Sequence, residues 1–184
     1  LVCLVLARAF VATVRALKMH GGVGRADLGE ENVDAVKQGL ENLGRHVKNV
    51  SSFGVPVVVG INQFIADSQA EMDAVLAYCN TIGVDAFVNS HWADGGAGIE
   101  AMAAKVAELA DGGTADFKPL YEDKLPLFDK IQSIVTNIYG ATEATAEKRI
   151  LDQLAQFEED GYGDAQICMA KTQYSFSIDP SLKG

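Results

Sequence analysis

The run Pro56-Val-Val-Val-Gly-Ile-Asn62 is apolar at nearly every position rather than at every second one. A strand of that kind has no face to give to water. It has to be covered on both sides, as strands inside a parallel sheet are. The segments around it can supply the covers. Upstream, Val33, Val36, Leu40, Leu43, Val47 and Val50 are spaced alternately by three and four, which draws one stripe along a helix expected over 30–50. Glu30, Glu31 and Asp34 near its start and Arg45, His46 and Lys48 near its end match the helix dipole. Gly54 closes that unit. Downstream, Ser68-x-x-Glu71 reads as a capping box opening a helix through Met72, Val75, Leu76 and Cys79, with Gly83 as its stop.

The pattern repeats on either side. Val11–Val14 reads as the end of an earlier buried strand, followed by a loop marked by Gly21, Gly22 and Gly24. Val84–Val88 reads as a later strand, and a loop over 89–98 leads to a helix carrying Ile99, Met102, Val106 and Leu109. Strand and helix in alternation imply right-handed crossovers. The expected fold is α/β: a mostly parallel sheet with flanking helices over 1–110. Asp111-Gly112-Gly113-Thr114 marks a boundary. Residues 115–184 are expected to form a smaller mixed α/β segment, rich in helix (126–138 and 144–160) and ending in a strand at Ile167–Ala170.

Composition narrows the classes of function. The chain has 184 residues, 48% of them apolar, with 15 Lys+Arg against 25 Asp+Glu, so 15 − 25 = −10. That balance argues against broad binding to a nucleic-acid backbone and against an anionic membrane surface. Cys3, Cys79 and Cys168 are odd in number and widely spaced, with no C-x-x-C. This favours a reducing compartment over a disulfide framework or a zinc cluster. Leu1–Leu17 is broken by Arg8 and Arg15 and lacks a basic leader, so neither a membrane span nor a signal peptide is expected. A soluble cytoplasmic protein is the expectation. The chain does not begin with Met, which suggests a fragment.

Ligands of open parallel sheets bind outside the carboxyl ends of the strands. Three loops qualify. The first carries Arg15, Lys18 and His20 ahead of Gly21-Gly22; the second carries Asn62, Gln63, Phe64 and Asp67; the third carries His91 and Trp92 ahead of Asp94-Gly95-Gly96. Phe64 and Trp92 can sandwich a flat heterocycle such as a purine or a pterin. On the plainer reading, Trp92 caps the sheet and Phe64 packs under a helix. Arg15, Lys18 and His20 beside two glycines can dock a phosphate or a carboxylate; equally, Arg15 and Lys18 can pair with the chain's many carboxylates. His91 is a candidate proton carrier without an identifiable carboxylate partner. Asn62 and Asp67 faintly resemble the base-reading Asn-Lys-x-Asp of GTP-binding proteins. The spacing is wrong and Gln63 replaces the lysine, so Asp67 is better read as the start of the next helix. No P-loop pattern is present. Gly95-Gly96-Ala97-Gly98 lacks the lysine and reads as a flexible turn. No metal-ligand spacing appears.

Val11-Ala-Thr-Val-Arg-Ala-Leu-Lys-Met-His-Gly-Gly22 closely resembles a signature of the formate–tetrahydrofolate ligases, also called formyltetrahydrofolate synthetases. Further blocks are similar to the same family in the same order. They are Phe53–Val59 through Asn62 and Phe64, then His91-Trp92-Ala93-x-Gly95-Gly96, then Lys130-Ile131 with Ile138–Ala141, and finally Cys168–Ser177. Leu1–Phe10 departs from the family pattern, with Arg8 where an apolar strand is expected. Ile65 replaces a frequent proline.

The resemblance implies an enzyme of one-carbon metabolism. It joins formate to tetrahydrofolate at the cost of ATP with Mg²⁺, through formyl phosphate, and yields 10-formyltetrahydrofolate. A monovalent cation and a homo-oligomeric intact enzyme belong to the same expectation. Residues 1–110 become the C-terminal part of a P-loop NTPase-like nucleotide-binding domain whose phosphate loop lies upstream. Phe64 and Trp92 map onto the folate and adenine pocket, Val88 onto an apolar wall, and Asn62 onto a ligand contact. Arg15, Lys18 and His20 lie in the signature as candidate catalytic residues. The block Lys171–Ser177 is structural or borders the folate entrance. The stretch by itself is expected to be inactive. The alternatives are a non-catalytic folate- or nucleotide-binding fragment and a diverged GTP-binding switch, the latter disfavoured by the absent P-loop.

Overall fold

The structure, a computed structural model, describes residues 7–170 and Phe176. Cys3, most of the atypical segment 1–10, and Lys171–Ser177 apart from Phe176 lie outside the described residues. The chain divides into two compact units, the first running to Phe117 and the second beginning at Lys118.

The first unit is α/β. Its strands are β1 (Arg8–Ala12), β2 (Val57–Asn62) and β3 (Ala86–Asn89), and its helices are α1 (Val14–His20), α2 (Val33–Ser51), α3 (Gln69–Thr81), α4 (His91–Asp94) and α5 (Glu100–Asp111). The three strands pair in parallel in the order β1-β2-β3, with Arg8 opposite Val57 and Val59 opposite Ala86. The apolar run of β2 sits in the middle, and Val58, Val59 and Ile61 are wholly buried. Val59 and Ile61 point into a core built from Val14 and Leu17 of α1, Val36, Leu40, Leu43 and Val47 of α2, and Met72, Val75 and Cys79 of α3. On the other face, a side chain at Gly60 would collide with Met102 of α5. Both faces of β2 are therefore covered, and each large aliphatic side chain so buried contributes about 1.5–3 kcal/mol.

Local signals set the helix ends. Asn32 Oδ1 accepts from the Ala35 N–H at 2.9 Å and starts α2. Both halves of the capping box at α3 are present: Ser68 Oγ accepts from the Glu71 N–H, and Glu71 Oε2 from the Ser68 N–H. Gly83, at φ +70°, follows the end of α3. Helices α1 and α2 pack backbone to backbone. A Cβ on Gly21 would strike the Ala35 carbonyl, and one on Gly39 would strike the Leu17 carbonyl.

The first strand corrects the expected boundary. It ends at Ala12, because Thr13 Oγ1 accepts from the Ala16 N–H at 3.2 Å and caps α1. Arg15, Lys18 and His20 consequently lie on a helix and not in a loop. Arg8, out of pattern for a buried strand, is exposed on β1. The expected loop over 89–98 is instead α4 followed by a 3₁₀ turn, Gly95–Ile99.

The second unit holds α6 (Leu127–Asn137), α7 (Lys148–Phe157) and a wide turn over Glu158–Tyr162 with Gly161 at φ +91°. Pro126 precedes the first turn of α6, and Glu158 Oε1 accepts from the Leu127 N–H at 2.6 Å. Lys130 is fully buried and donates to the carbonyls of Gly163 and Ala165. No strand forms at the expected Ile167–Ala170. The described part of this unit contains no other strand to pair with, and the Ile167 N–H instead donates to the Tyr121 hydroxyl at 3.1 Å.

Candidate functional site

The carboxyl ends of β2 and β3 lie side by side, with Asn62 opposite Asn89. Beyond β2 the chain turns at Gln63–Asp67. The Phe64 N–H donates to Asp67 Oδ2 at 2.8 Å, and the Asp67 N–H donates back to the Phe64 carbonyl at 3.0 Å. This closed turn holds the Phe64 ring outward, 41% exposed. Beyond β3, α4 presents Trp92, whose Nε1–H donates to the Gln63 carbonyl at 2.8 Å. The two aromatic loops are thereby tied to each other.

Between them opens a cleft of about 550 Å³, lined by Arg15, Arg25, Leu28, Gly29, Phe64, Ile65, Ala66 and Trp92. Leu28 forms a buried part of the wall, whereas Ile65 and Trp92 are largely exposed. A slot walled by flat and aliphatic groups with two guanidiniums suits a planar heterocycle bearing negative charge.

The basic cluster expected from the sequence splits three ways. Arg15 lines the cleft. Lys18 is wholly buried, 2.9 Å from Glu71 Oε1, and also donates to the Glu30 carbonyl at 3.0 Å. The pairing reading therefore holds for Lys18. His20 Nε2 lies 3.4 Å from Asn42 Nδ2 and does not line the cleft. Val88 sits in β3 opposite Ile61 and packs against the core; neither it nor Asn62 lines the cleft. His91 opens α4 with its Nδ1 buried and without a hydrogen-bond partner.

Asp67 turned out to do more than begin a helix. It is nearly buried, and its Oδ1 has no hydrogen-bond partner. Burial pushes its carboxyl above the usual range. The Phe64 N–H and the charges of Lys18 and Arg15 oppose that shift, and Glu71 adds to it. Glu71 goes the other way. Burial raises it, but the N–H groups of Asn32 and Ser68 and the Lys18 ammonium together hold it below its ordinary value. The neighbouring carboxyls are thus driven apart.

Arg25 and Leu28 were not singled out from the sequence. They reach the cleft through a 3₁₀ turn, Arg25–Asp27, that no spacing rule ties to Phe64 or Trp92. Among the described residues no three His, Cys, Asp or Glu side chains gather to hold a metal ion. No helix among them is long and apolar enough to cross a membrane. A second cleft, about 490 Å³ and lined in part by Glu41, Arg45, Lys48 and Tyr78, takes in none of the expected residues.

A family model described as formate–tetrahydrofolate ligase matches residues 5–184. Curated proteins of the same name are similar along nearly the whole chain. The protein from Allorhizobium ampelinum is 57% identical over 178 residues, which is 97% of this chain and 32% of that protein. The Rhizobium meliloti protein is 55% identical with the same coverage. The one from Ruegeria sp. is 56% identical over 174 residues, 95% of this chain and 31% of its own. The chain spans about a third of the length of the curated relatives it matches.

Proposed function

Because the chain belongs to the formate–tetrahydrofolate ligase family, we propose that it contributes the ligand cleft of an enzyme joining formate to tetrahydrofolate at the expense of ATP. The carrying observation is that Phe64 and Trp92, far apart in sequence, line one cleft and are tied through the Gln63 carbonyl. Phe64 and Trp92 hold the pterin or the adenine by its faces. Stacking of that kind is worth roughly 1–3 kcal/mol per ring in nucleic-acid systems. The buried Asp67 turn fixes the Phe64 backbone, so the ring meets the ligand with little reorganisation.

In the intact enzyme a formate oxygen attacks the γ-phosphorus of ATP, ADP leaves, and formyl phosphate results. N10 of tetrahydrofolate then attacks the formyl carbon. Phosphate departs, N10 loses its proton, and 10-formyltetrahydrofolate forms. This chain's part is to orient the folate nitrogen and to keep the slot dry on its aliphatic side. A magnesium ion accompanying ATP would offset the charge of the phosphates during transfer, and a monovalent cation belongs to the same reading. The three-stranded sheet is read as part of a larger P-loop NTPase-like sheet, in a cytoplasmic homo-oligomer. The absence of a P-loop sequence from these 184 residues favours a second reading for the chain taken alone: binding of folate or nucleotide without turnover.

Trp92 is the only tryptophan, so its fluorescence reports on the cleft. Titration with tetrahydrofolate and with ADP is expected to give saturable quenching, and Phe64→Ala should weaken it roughly tenfold or more. A folded protein that shows no response to either ligand would overturn the pocket assignment.

A further inference from the structure

We propose that Arg15 and Arg25 form an oxyanion-binding subsite at the mouth of the Phe64–Trp92 cleft, so that the ligand is recognised by a charged substituent as well as by its ring. The inference rests on the reading of that cleft as a heterocycle site.

The two arginines come from different elements, Arg15 from the first turn of α1 and Arg25 from the 3₁₀ turn, yet both line the same cleft. Their elements fix them from behind. Val14, Leu17 and Lys18 are buried and seat α1 against the core, and the buried Leu28 follows the turn that carries Arg25. Several cations of this acid-rich chain are paired with carboxylates. Lys18 is paired with Glu71, Lys105 with Asp85 and Glu108, Lys124 with Asp164, and Lys148 with Asp152. Among the described residues no carboxylate makes an ion pair with Arg15 or Arg25. Arg15 acts on Asp67 through charge alone. The Asp67 carboxylate faces the Phe64 N–H, and its burial disfavours the charged form.

A guanidinium offers a planar fork of donors that fits a carboxylate or a phosphate two bonds at a time. Two forks beside stacked rings select a planar heterocycle that carries an anionic oxygen group. That group is either the carboxylate tail of a folate or the phosphate of a nucleotide. Because both arginines are exposed, the attraction is subject to screening by salt.

The test uses two matched ligand pairs on the full chain, followed by Trp92 fluorescence: tetrahydrofolate against 6-methyltetrahydropterin, and ADP against adenosine. For at least one pair, the anionic member should bind roughly tenfold tighter than the neutral one. In the Arg15→Gln/Arg25→Gln variant, checked for folding by circular dichroism, that ratio should collapse toward one, because the anionic member loses far more affinity than the neutral one. High salt should lower the ratio in the unmodified protein only. The pair that shows the effect identifies the source of the oxyanion. Neutral and anionic members binding equally, or a ratio unchanged in the double variant, would overturn the subsite and leave the aromatic cleft standing. Failure of all four ligands to bind would overturn both.

Discussion

Lys18 Nζ and Glu71 Oε1 lie 2.9 Å apart with neither side chain exposed to solvent. The pair joins α1 to α3. Its remaining bonds reach the Glu30 carbonyl and the Asn32 and Ser68 N–H groups. The ammonium and the carboxylate thus close the N-terminal ends of α2 and α3 onto α1, directly behind the turn that carries Phe64.

Removing one member of this pair strands the other in a dry site, a change that typically costs about 3–5 kcal/mol. Lys18→Met is expected to destabilise the fold by about that much in urea unfolding. The Lys18→Met/Glu71→Gln double variant should lose clearly less than the sum of the two single changes. Additive losses would show that the pair is not coupled.

Gly39 and the Leu17 carbonyl leave no room for a methyl group between α2 and α1. Gly39→Ala therefore forces the helices apart, at a cost of about 1–3 kcal/mol for overpacking of this kind. Gly96→Ala, where an added Cβ meets nothing within 4 Å, serves as the neutral control. Thermal melts of the two variants should differ by several degrees.

Three of the perturbed groups, Glu71, His46 and Asp67, give stability opposing slopes with pH. Glu71, held below its ordinary 4.5, stabilises the fold above that pH, and this contribution is lost as pH falls through its lowered value. His46 is held below its ordinary 6.5 by burial and by neighbouring His20, so stability declines as pH drops from 6.5 toward that lowered value. Asp67, raised above its ordinary 3.8, takes a proton more readily when folded and costs stability as pH rises through its folded value. Asp67→Asn should therefore be more stable than the parent at pH 7, and the gap should close on acidification. Urea midpoints at pH 7 and pH 4 measure it, and a gap that widens at low pH would contradict the assignment.

Trp92→Phe keeps a ring in the cleft and removes the donor to the Gln63 carbonyl. A hydrogen bond of this sort is worth about 0.5–1.5 kcal/mol. With the indole more than half exposed, little of that reaches global stability. Tetrahydrofolate affinity by calorimetry is expected to fall a few-fold, with the melting temperature nearly unchanged.

The parts of the molecule legible in the sequence were those governed by near neighbours. The unalternating run at 56–62 forced a doubly covered strand, and Ser68 with Glu71 marked the start of α3, because a capping box is contained within four residues. Three features escaped because their causes are not local. Thr13 reads as one more β-branched residue of a strand until its hydroxyl is seen capping α1. Lys18 can pair with any of the chain's many carboxylates on the sequence alone, and only the fold picks out Glu71, from another element. Ile167–Ala170 has the composition of a strand but no partner strand in the described part of its unit. Of the candidate site residues, the structure brings Phe64, Trp92 and Arg15 to one cleft and leaves Lys18, His20, Val88 and Asn62 elsewhere.

The strict sequence order of the sheet bears on how the chain assembles. In the register, Arg8 meets Val57 across 49 positions and Val59 meets Ala86 across 27. Closing the longer loop costs only about 0.5 kcal/mol more in chain entropy. Neither pairing is therefore favoured as a folding seed by loop length. The order of assembly is left to the aliphatic side chains of β2, which both closures share.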